Sequence, residues 1–319
     1  MKPELKPFTV KNPSHNFDRL IAWSVPYKHE IDYYGPLLDR YKWTLHDGIG
    51  YYLEIPGRSE LVITAHLDVA TAKPFQPKVK RQRGLLESEN GPMGADDRGG
   101  VAIILYMAHV AKVPARYWLF VGEERGRLGS RKLASESDMD ALAVVSLDRA
   151  GYQDIITHQL SGRSCSDYSA DVLQELLAEQ GMVYKLDPTG IYTDSASFIG
   201  QAECTNLSIG YFGNHYAGEQ QDTWFLDRLG EALAGLQWDV YLANCDLMPD
   251  PDIDKGEDWH MADTYYTDDS WYELWNETDP GNPLYIGTVE GKGRPLEYLY
   301  REVNKLYPGK NIGIYAVNL

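Results

Sequence analysis

Residues 60–70 read ELVITAHLDVA, a short, mostly apolar run that ends in polar residues, His66 and Asp68 among them. A continuous apolar run, as opposed to an alternating one, marks a strand buried on both faces, as at the centre of an α/β sheet. The same pattern returns downstream in RYWLFVGEE (116–124), ALAVVSLD (141–148) and CTNLSIGYFG (204–213). Helical patterns separate these runs: DDRGGVAIILYMAHVAK (96–112), SCSDYSADVLQELLAEQG (164–181, with Gly181 near its end) and a long helix over 220–244. Upstream, Phe17, Leu20, Ile21, Leu37, Leu38 and Tyr41 fall at helical spacing and predict two helices over 14–42, broken near Pro26. TLHDGIGYYLEIPG (44–57) predicts a strand pair turning at Asp47-Gly48. Strands alternating with helices predict an α/β fold: a three-layer α/β/α sandwich around a mixed, mostly parallel central sheet.

The chain has 319 residues, enough for one large domain with an appendage. Composition divides it into residues 1–245 and an acidic, aromatic-rich segment, 246–319, which we expect to pack on the first part. That segment holds 15 acidic and 6 basic residues, so it carries −9 of the net −17. Its abundant Trp and Tyr argue against disorder, and its end predicts a helix followed by a strand. A net charge of −17 disfavours nucleic acid and anionic membrane surfaces as partners. Three scattered cysteines, Cys165, Cys204 and Cys245, imply no disulfide framework. There is no apolar leader and no apolar run long enough to span a membrane, so the expected setting is the cytoplasm.

The chemistry lies where the apolar runs end. In open α/β sheets, sites form beyond the carboxyl ends of the strands. The first run ends in His66 and Asp68, the next in Glu123 and Glu124, the third in Asp148, and the last leads to His215. Asp96 and Asp97 open the intervening helix. One such residue alone is an ordinary polar loop residue. Two histidines with four or five carboxylates in one crevice would repel themselves unless cations neutralised the charge. Imidazole and carboxylate together suit zinc or a similar divalent ion.

In order, HLD (66–68), GADDRGG (94–100), EERGRLGS (123–130), Asp148 after VVSL, and NHYAGE (214–219) resemble the motifs of co-catalytic di-zinc aminopeptidases and related exopeptidases. The resemblance covers roughly residues 60–225. It implies the phosphorylase/hydrolase-like zinc peptidase fold and two Zn2+ per site, with Co2+ or Mn2+ as alternatives. His66 and Asp148 would hold one ion, Glu124 and His215 the other, and Asp96 would bridge them, in preference to Asp97. Glu123 would be the general base, and Asp68 would orient His66. The substrate would be a peptide or another amino-acid derivative.

Asp194 in YTDSASF (192–198) has two readings, substrate or ligand support and a local Asx turn. Tyr192, Tyr211 and Tyr216 are candidates for polarising an oxyanion. Glu219 is either a support for the centre or a surface acid. Gly126 and Gly129 suit a tight turn after the glutamates, and Ser130 is a candidate helix N-cap. No phosphate loop and no Gly-x-Ser-x-Gly occurs, which argues against nucleotide binding and a serine nucleophile. Gaps of 30 residues from His66 to Asp96 and 67 from Asp148 to His215 leave no room for an inserted domain or lid. That layout looks like the compact aminopeptidase branch, although GADDRGG is closer to the dipeptidase and tripeptidase branch. The competing readings are a deacylase of N-acyl amino acids, for which Arg98 or Arg149 would clamp a free carboxylate, and a non-catalytic binding protein of the same fold.

Overall fold

A computed structural model describes residues 3–160 and 162–245 and, beyond them, the backbone of three strands. In chain order the strands of the first part are β1 Thr44–His46, β2 Gly50–Ile55, β3 Leu61–His66, β4 Val79–Gln82, β5 Leu85–Ser88, β6 Ala115–Phe120, β7 Ala143–Arg149, β8 Asp154–Ile156, β9 His158–Gln159, β10 Gly162–Arg163, β11 Lys185–Asp187, β12 Glu203–Ser208, β13 Tyr211–Phe212 and β14 Gln220–Asp222. The helices are α1 Pro13–Leu20, α2 Glu30–Arg40, α3 Ala95–Tyr106, α4 Leu128–Glu136, α5 Asp167–Glu179, α6 Thr223–Gly235 and α7 Trp238–Leu242.

Eight strands form the main sheet in the order β1-β2-β6-β3-β7-β12-β8-β11. Its centre, β6-β3-β7-β12, is parallel throughout, and β1-β2-β6 is antiparallel. All six residues of β3 are buried, as the opening run requires. Side chains alternate between two cores: Leu61, Ile63 and Ala65 join Val145, Leu147 and the residues of α1, α3 and α6, whereas Val62 joins Trp118, Phe120, Val144 and Phe198. Each fully buried aliphatic side chain on these strands contributes about 1.5–3 kcal/mol. Thr64 and Ser146 share the second face, and their hydroxyls bond at 2.8 Å. By the same alternation the face of Thr64 and Ser146 is also that of His66 and Asp148.

Several expectations shift. The run 220–244 is not one helix: 220–222 is strand β14, Asp222 caps α6 by accepting the N–H groups of Trp224 and Phe225, and extended backbone at Leu236 separates α6 from α7. The run 204–213 divides into β12 and β13. Helix α3 is distorted at its start, where Asp96 and Asp97 have non-helical angles, and it ends in a π turn, Met107–Ala111. Ser130 is not an N-cap. Arg127 occupies that position, and the Ser130 hydroxyl bonds within the α4 turn and to Ser197. Gly126 does turn the chain, but Gly129 instead permits close approach of α4 to the Ile49 carbonyl. The hairpin β4-β5 had no sequence counterpart. It joins β14 and β13 in a second, antiparallel sheet, β13-β14-β5-β4.

The chain divides into two compact units, 1–255 and 256–319. In the second, strands 271–276, 284–290 and 312–316 form an antiparallel sheet with the first strand in the middle. The expected helix before the last strand, and the expected packing of 246–319 on the first part, lie outside the described residues.

Candidate metal centre

Each side chain of the centre arrives from an element whose placement follows from packing. His66 is the last residue of β3, and its backbone N–H donates to Asp97 Oδ2 at 3.0 Å. Asp148 lies near the end of the adjacent strand β7. Glu123 and Glu124 follow β6 in a 3-10 turn, Glu123–Arg125, entered through Gly122. Asp96 opens α3 after Gly94, whose φ of +84° few other residues tolerate. His215 sits in the loop between β13 and β14 with φ +71°, a left-handed conformation for a non-glycine residue.

These residues converge. His66 Nε2 lies 2.9 Å from Asp96 Oδ1 and 3.5 Å from Asp148 Oδ1. His215 Nε2 lies 3.2 Å from Asp96 Oδ2 and 3.1 Å from Glu124 Oε1. One carboxylate therefore faces a different imidazole with each of its oxygens. Ligand atoms of His66, Asp96 and Glu124 all fall within 4.8 Å of one another, as do those of His66, Asp97 and Asp148. Asp97 has less to offer a metal, because its oxygens accept the backbone N–H groups of His66 and Gly100.

The electrostatics match a cation site. Burial opposes the charge of Asp96, but His215 and His66 outweigh it and hold the carboxyl well below its usual range. Burial also opposes the charges of His66 and His215, yet Asp148 and Glu124 respectively raise both rings well above the ordinary imidazole value. Burial and then Asp96 push Asp148 up to about 7. Burial raises Glu124, with His215 opposing and Asp96 adding. Glu123 is raised well above the carboxylate range by burial; His66 opposes, and Asp148, Asp194 and Glu124 reinforce the shift. Asp148 Oδ1 is buried and accepts no hydrogen bond from the described residues. Two imidazoles and three carboxylates, with oxygens left over and too much negative charge for the space, fit a pair of divalent cations.

Asp68 ties two parts of the centre together. Its carbonyl lies 3.0 Å and its Oδ1 3.6 Å from His66 Nδ1, and Oδ1 also accepts the Glu123 N–H at 3.0 Å. The ring thus faces the Asp68 backbone more closely than its carboxylate. Glu219 is buried, not a surface acid: Oε2 accepts the N–H groups of Gly94 and Ala95 at 2.7 and 3.1 Å. Asp194 is buried too, and burial and then Asp68 push it up to about 7 against the pull of His66, the Ser130 hydroxyl and Arg127. It is not an Asx turn at the surface. Tyr211 spends its hydroxyl on the Asp148 carbonyl at 3.1 Å. Tyr216 is exposed, and the Tyr192 ring lies 5.3 Å from the Arg127 guanidinium. Arg98 is fully buried, donating to Tyr34 Oη and the Met93 carbonyl, so it cannot reach a substrate. Arg149 is partly exposed and holds Asp154 and Thr189.

Three contributors escaped the sequence reading. Thr193 donates to Asp148 Oδ2 at 2.5 Å, and Asn214 donates to Asp96 Oδ2 at 2.9 Å. Each neighbours a residue that had been singled out, which is the one signal available for them. Glu30 lies far upstream, and burial and then Asp68 push it up to about 8.

The model of peptidase family M28 matches residues 51–271. No curated protein matches the chain in sequence. Solved structures do match in fold. Aminopeptidase PepT from Bacillus cereus is 14% identical with a TM-score of 0.59, over 71% of this chain and 97% of its own. The TET1 peptidase of Pyrococcus horikoshii is 14% identical with a TM-score of 0.58, over 70% and 99%. An aminopeptidase from Desulfurococcus kamchatkensis is 13% identical with a TM-score of 0.55, over 74% and 95%.

Proposed function

Because the chain belongs to peptidase family M28, and so is a metal-dependent peptidase, we propose that it is an aminopeptidase that removes residues from the amino terminus of peptides at a two-zinc centre. His66 and Asp148 would hold one ion, Glu124 and His215 the second, and Asp96 both. The observation that carries this reading is the Asp96 carboxylate, whose two oxygens separately face His66 and His215. Bound zinc ions supply Lewis acidity, polarising the substrate carbonyl and making water a usable nucleophile near neutral pH.

The chain's own residues do the rest. Glu123 is the general base: its carboxylate takes a proton from the attacking water and returns it to the leaving amine. Its burial and acidic neighbours raise its proton affinity, which suits a group that must accept a proton and pass it on. Asp68 fixes the Glu123 backbone through Oδ1 and the His66 ring through its carbonyl, so base and ligand keep one mutual geometry. A reducing, cytoplasmic setting accords with three free thiols.

A deacylase of N-acyl amino acids is less well supported, since Arg98, one of its two candidate carboxylate clamps, is entombed. The test is metal content with hydrolysis of a panel of amino-acid amides and N-acyl amino acids, for the wild type and Glu123→Gln. We expect about two zinc ions per chain, cleavage of the amides, and a loss of about 10²–10⁴-fold in kcat for the variant with metal retained. Cleavage of N-acyl amino acids alone would favour the deacylase, and failure to bind metal would refute both.

A further inference from the structure

The two halves of the centre stand on different foundations. His66 and Asp148 end paired, buried strands of the main sheet. Glu124 sits in a 3-10 turn, and His215 in a loop whose Tyr216, Ala217 and Gly218 are all exposed. The His215 side chain is largely buried, but the residues after it are not, and its left-handed backbone is costly to hold.

Something must hold that loop, and Glu219 lies where it can. Four residues after His215, its Oε2 takes the N–H groups of Gly94 and Ala95, the two residues that precede Asp96. Its backbone is anchored as well: the Glu219 carbonyl accepts the Ser88 N–H, and Gly218 donates to the Ser88 carbonyl at the end of β5. One side chain thus links the turn that carries the shared carboxylate to the loop that carries the histidine facing its Oδ2. The side chain is completely buried and its Oε1 has no hydrogen-bond partner among the described residues. Burying a carboxylate this poorly satisfied is costly, so a hydrophobic residue would serve stability better if the two backbone bonds were not needed.

We propose that Glu219 is a positioning residue that sets the spacing of Asp96 and His215 and thereby governs binding of the second metal ion, leaving the first largely unaffected. The inference rests on the two-metal reading above. It requires reach and an acceptor oxygen but not charge, and two conservative variants separate these. Glu219→Gln keeps the length and one carbonyl oxygen able to accept both N–H groups. Glu219→Asp keeps the charge but is one methylene short.

The experiment is stepwise zinc titration of the metal-free full chain by calorimetry, with thermal unfolding of each metal-free variant alongside. Glu219→Asp should weaken the second equivalent about 10–100-fold, leave the first within about threefold, and remain folded; Glu219→Gln should restore the second equivalent. If both equivalents weaken together, if Asp restores binding and Gln does not, or if neither variant changes the titration, the inference is wrong. Uptake of fewer than two ions by the wild type would instead refute the two-metal reading. Should Glu219→Asp fail to fold, the Gln variant still decides: a lost second equivalent in a folded protein refutes the role.

Discussion

Replacing Gly100 with alanine tests what holds Asp96 at the right distance from Asp148. Gly100 lies just after the distorted start of α3, where the helix presses against β7. An added Cβ would land on the Leu147 carbonyl oxygen, 2.5 Å from Asp97 Oδ1 and 2.9 Å from Oδ2. Ordinary C···O contacts lie at about 3.3–3.6 Å, so the helix start must retreat by about 1 Å. Neither obstacle can yield: β7 is paired on both sides, and Asp97 is bound to the N–H groups of His66 and Gly100. Overpacking of this kind costs about 1–3 kcal/mol, and the gain in helix propensity returns about 1 kcal/mol at most. Net destabilisation of about 1–2 kcal/mol should lower Tm by a few degrees. The functional loss should be larger, because a shift of about 1 Å in a catalytic constellation can cost about 10²-fold in rate. Gly99→Ala is the control. Its Cβ meets Ile209 Cδ1 at 2.8 Å and Gln221 Oε1 at 3.0 Å, the far ends of side chains and not backbone atoms. The assay is kcat/KM on a cleaved amino-acid amide together with thermal unfolding. If Gly100→Ala keeps wild-type kcat/KM, or if Gly99→Ala is equally damaging, close approach of α3 to β7 does not set the centre.

Thr193→Val removes the donor to Asp148 Oδ2 with little change in shape; zinc affinity should fall about 10–100-fold, read by competition with a chelating dye. Glu30 ionises near 4.5 when unfolded but at about 8 in the fold, so its contribution to stability is intact below pH 4.5 and is lost as pH rises through 8. Glu30→Gln should therefore match the wild type in urea unfolding at pH 4 and exceed it at pH 8 by about 4 kcal/mol; equal stability at both values would show that Glu30 does not hold its proton.

What could be read in the chain was chemistry attached to periodicity. Apolar runs locate the buried strands, the chain leaves each one at the same edge of a parallel sheet, and the first polar residues there must meet. That logic reaches His66, Glu123, Glu124 and Asp148 because their positions follow from β3, β6 and β7. It reaches Asp96 and His215 only through the company they keep, since a distorted helix start and a left-handed loop have no periodic signature. The 220–244 run misleads for a related reason: β14 is three residues long, too short to interrupt a helical pattern that resumes at once, and yet it carries the second sheet to which the His215 loop is tied. Strand β4 is invisible because three of its four residues are polar and exposed, as an edge strand should be, and the four residues of β5 are too few to carry a pattern alone.

Glu30 shows the limit most clearly. The segment before it runs beneath the centre: the Val69 N–H donates to the Val25 carbonyl, and a Cβ on Gly122 would lie 3.1 Å from the Tyr27 ring. This segment precedes the part of the chain that matches the family, and nothing in EIDYYGPLLDR distinguishes its first residue from an ordinary acid in a helix's first turn. A second ionised carboxylate beside Asp68 would weaken the hold on Glu123 and His66 by repulsion; a protonated one adds no charge. Burial, and then the charge of Asp68, drive Glu30 toward the protonated form, so an acid that reads as an ordinary helix residue adds little charge beside Asp68. The sign of its effect on the centre follows from its depth in the fold, which residue type alone does not specify.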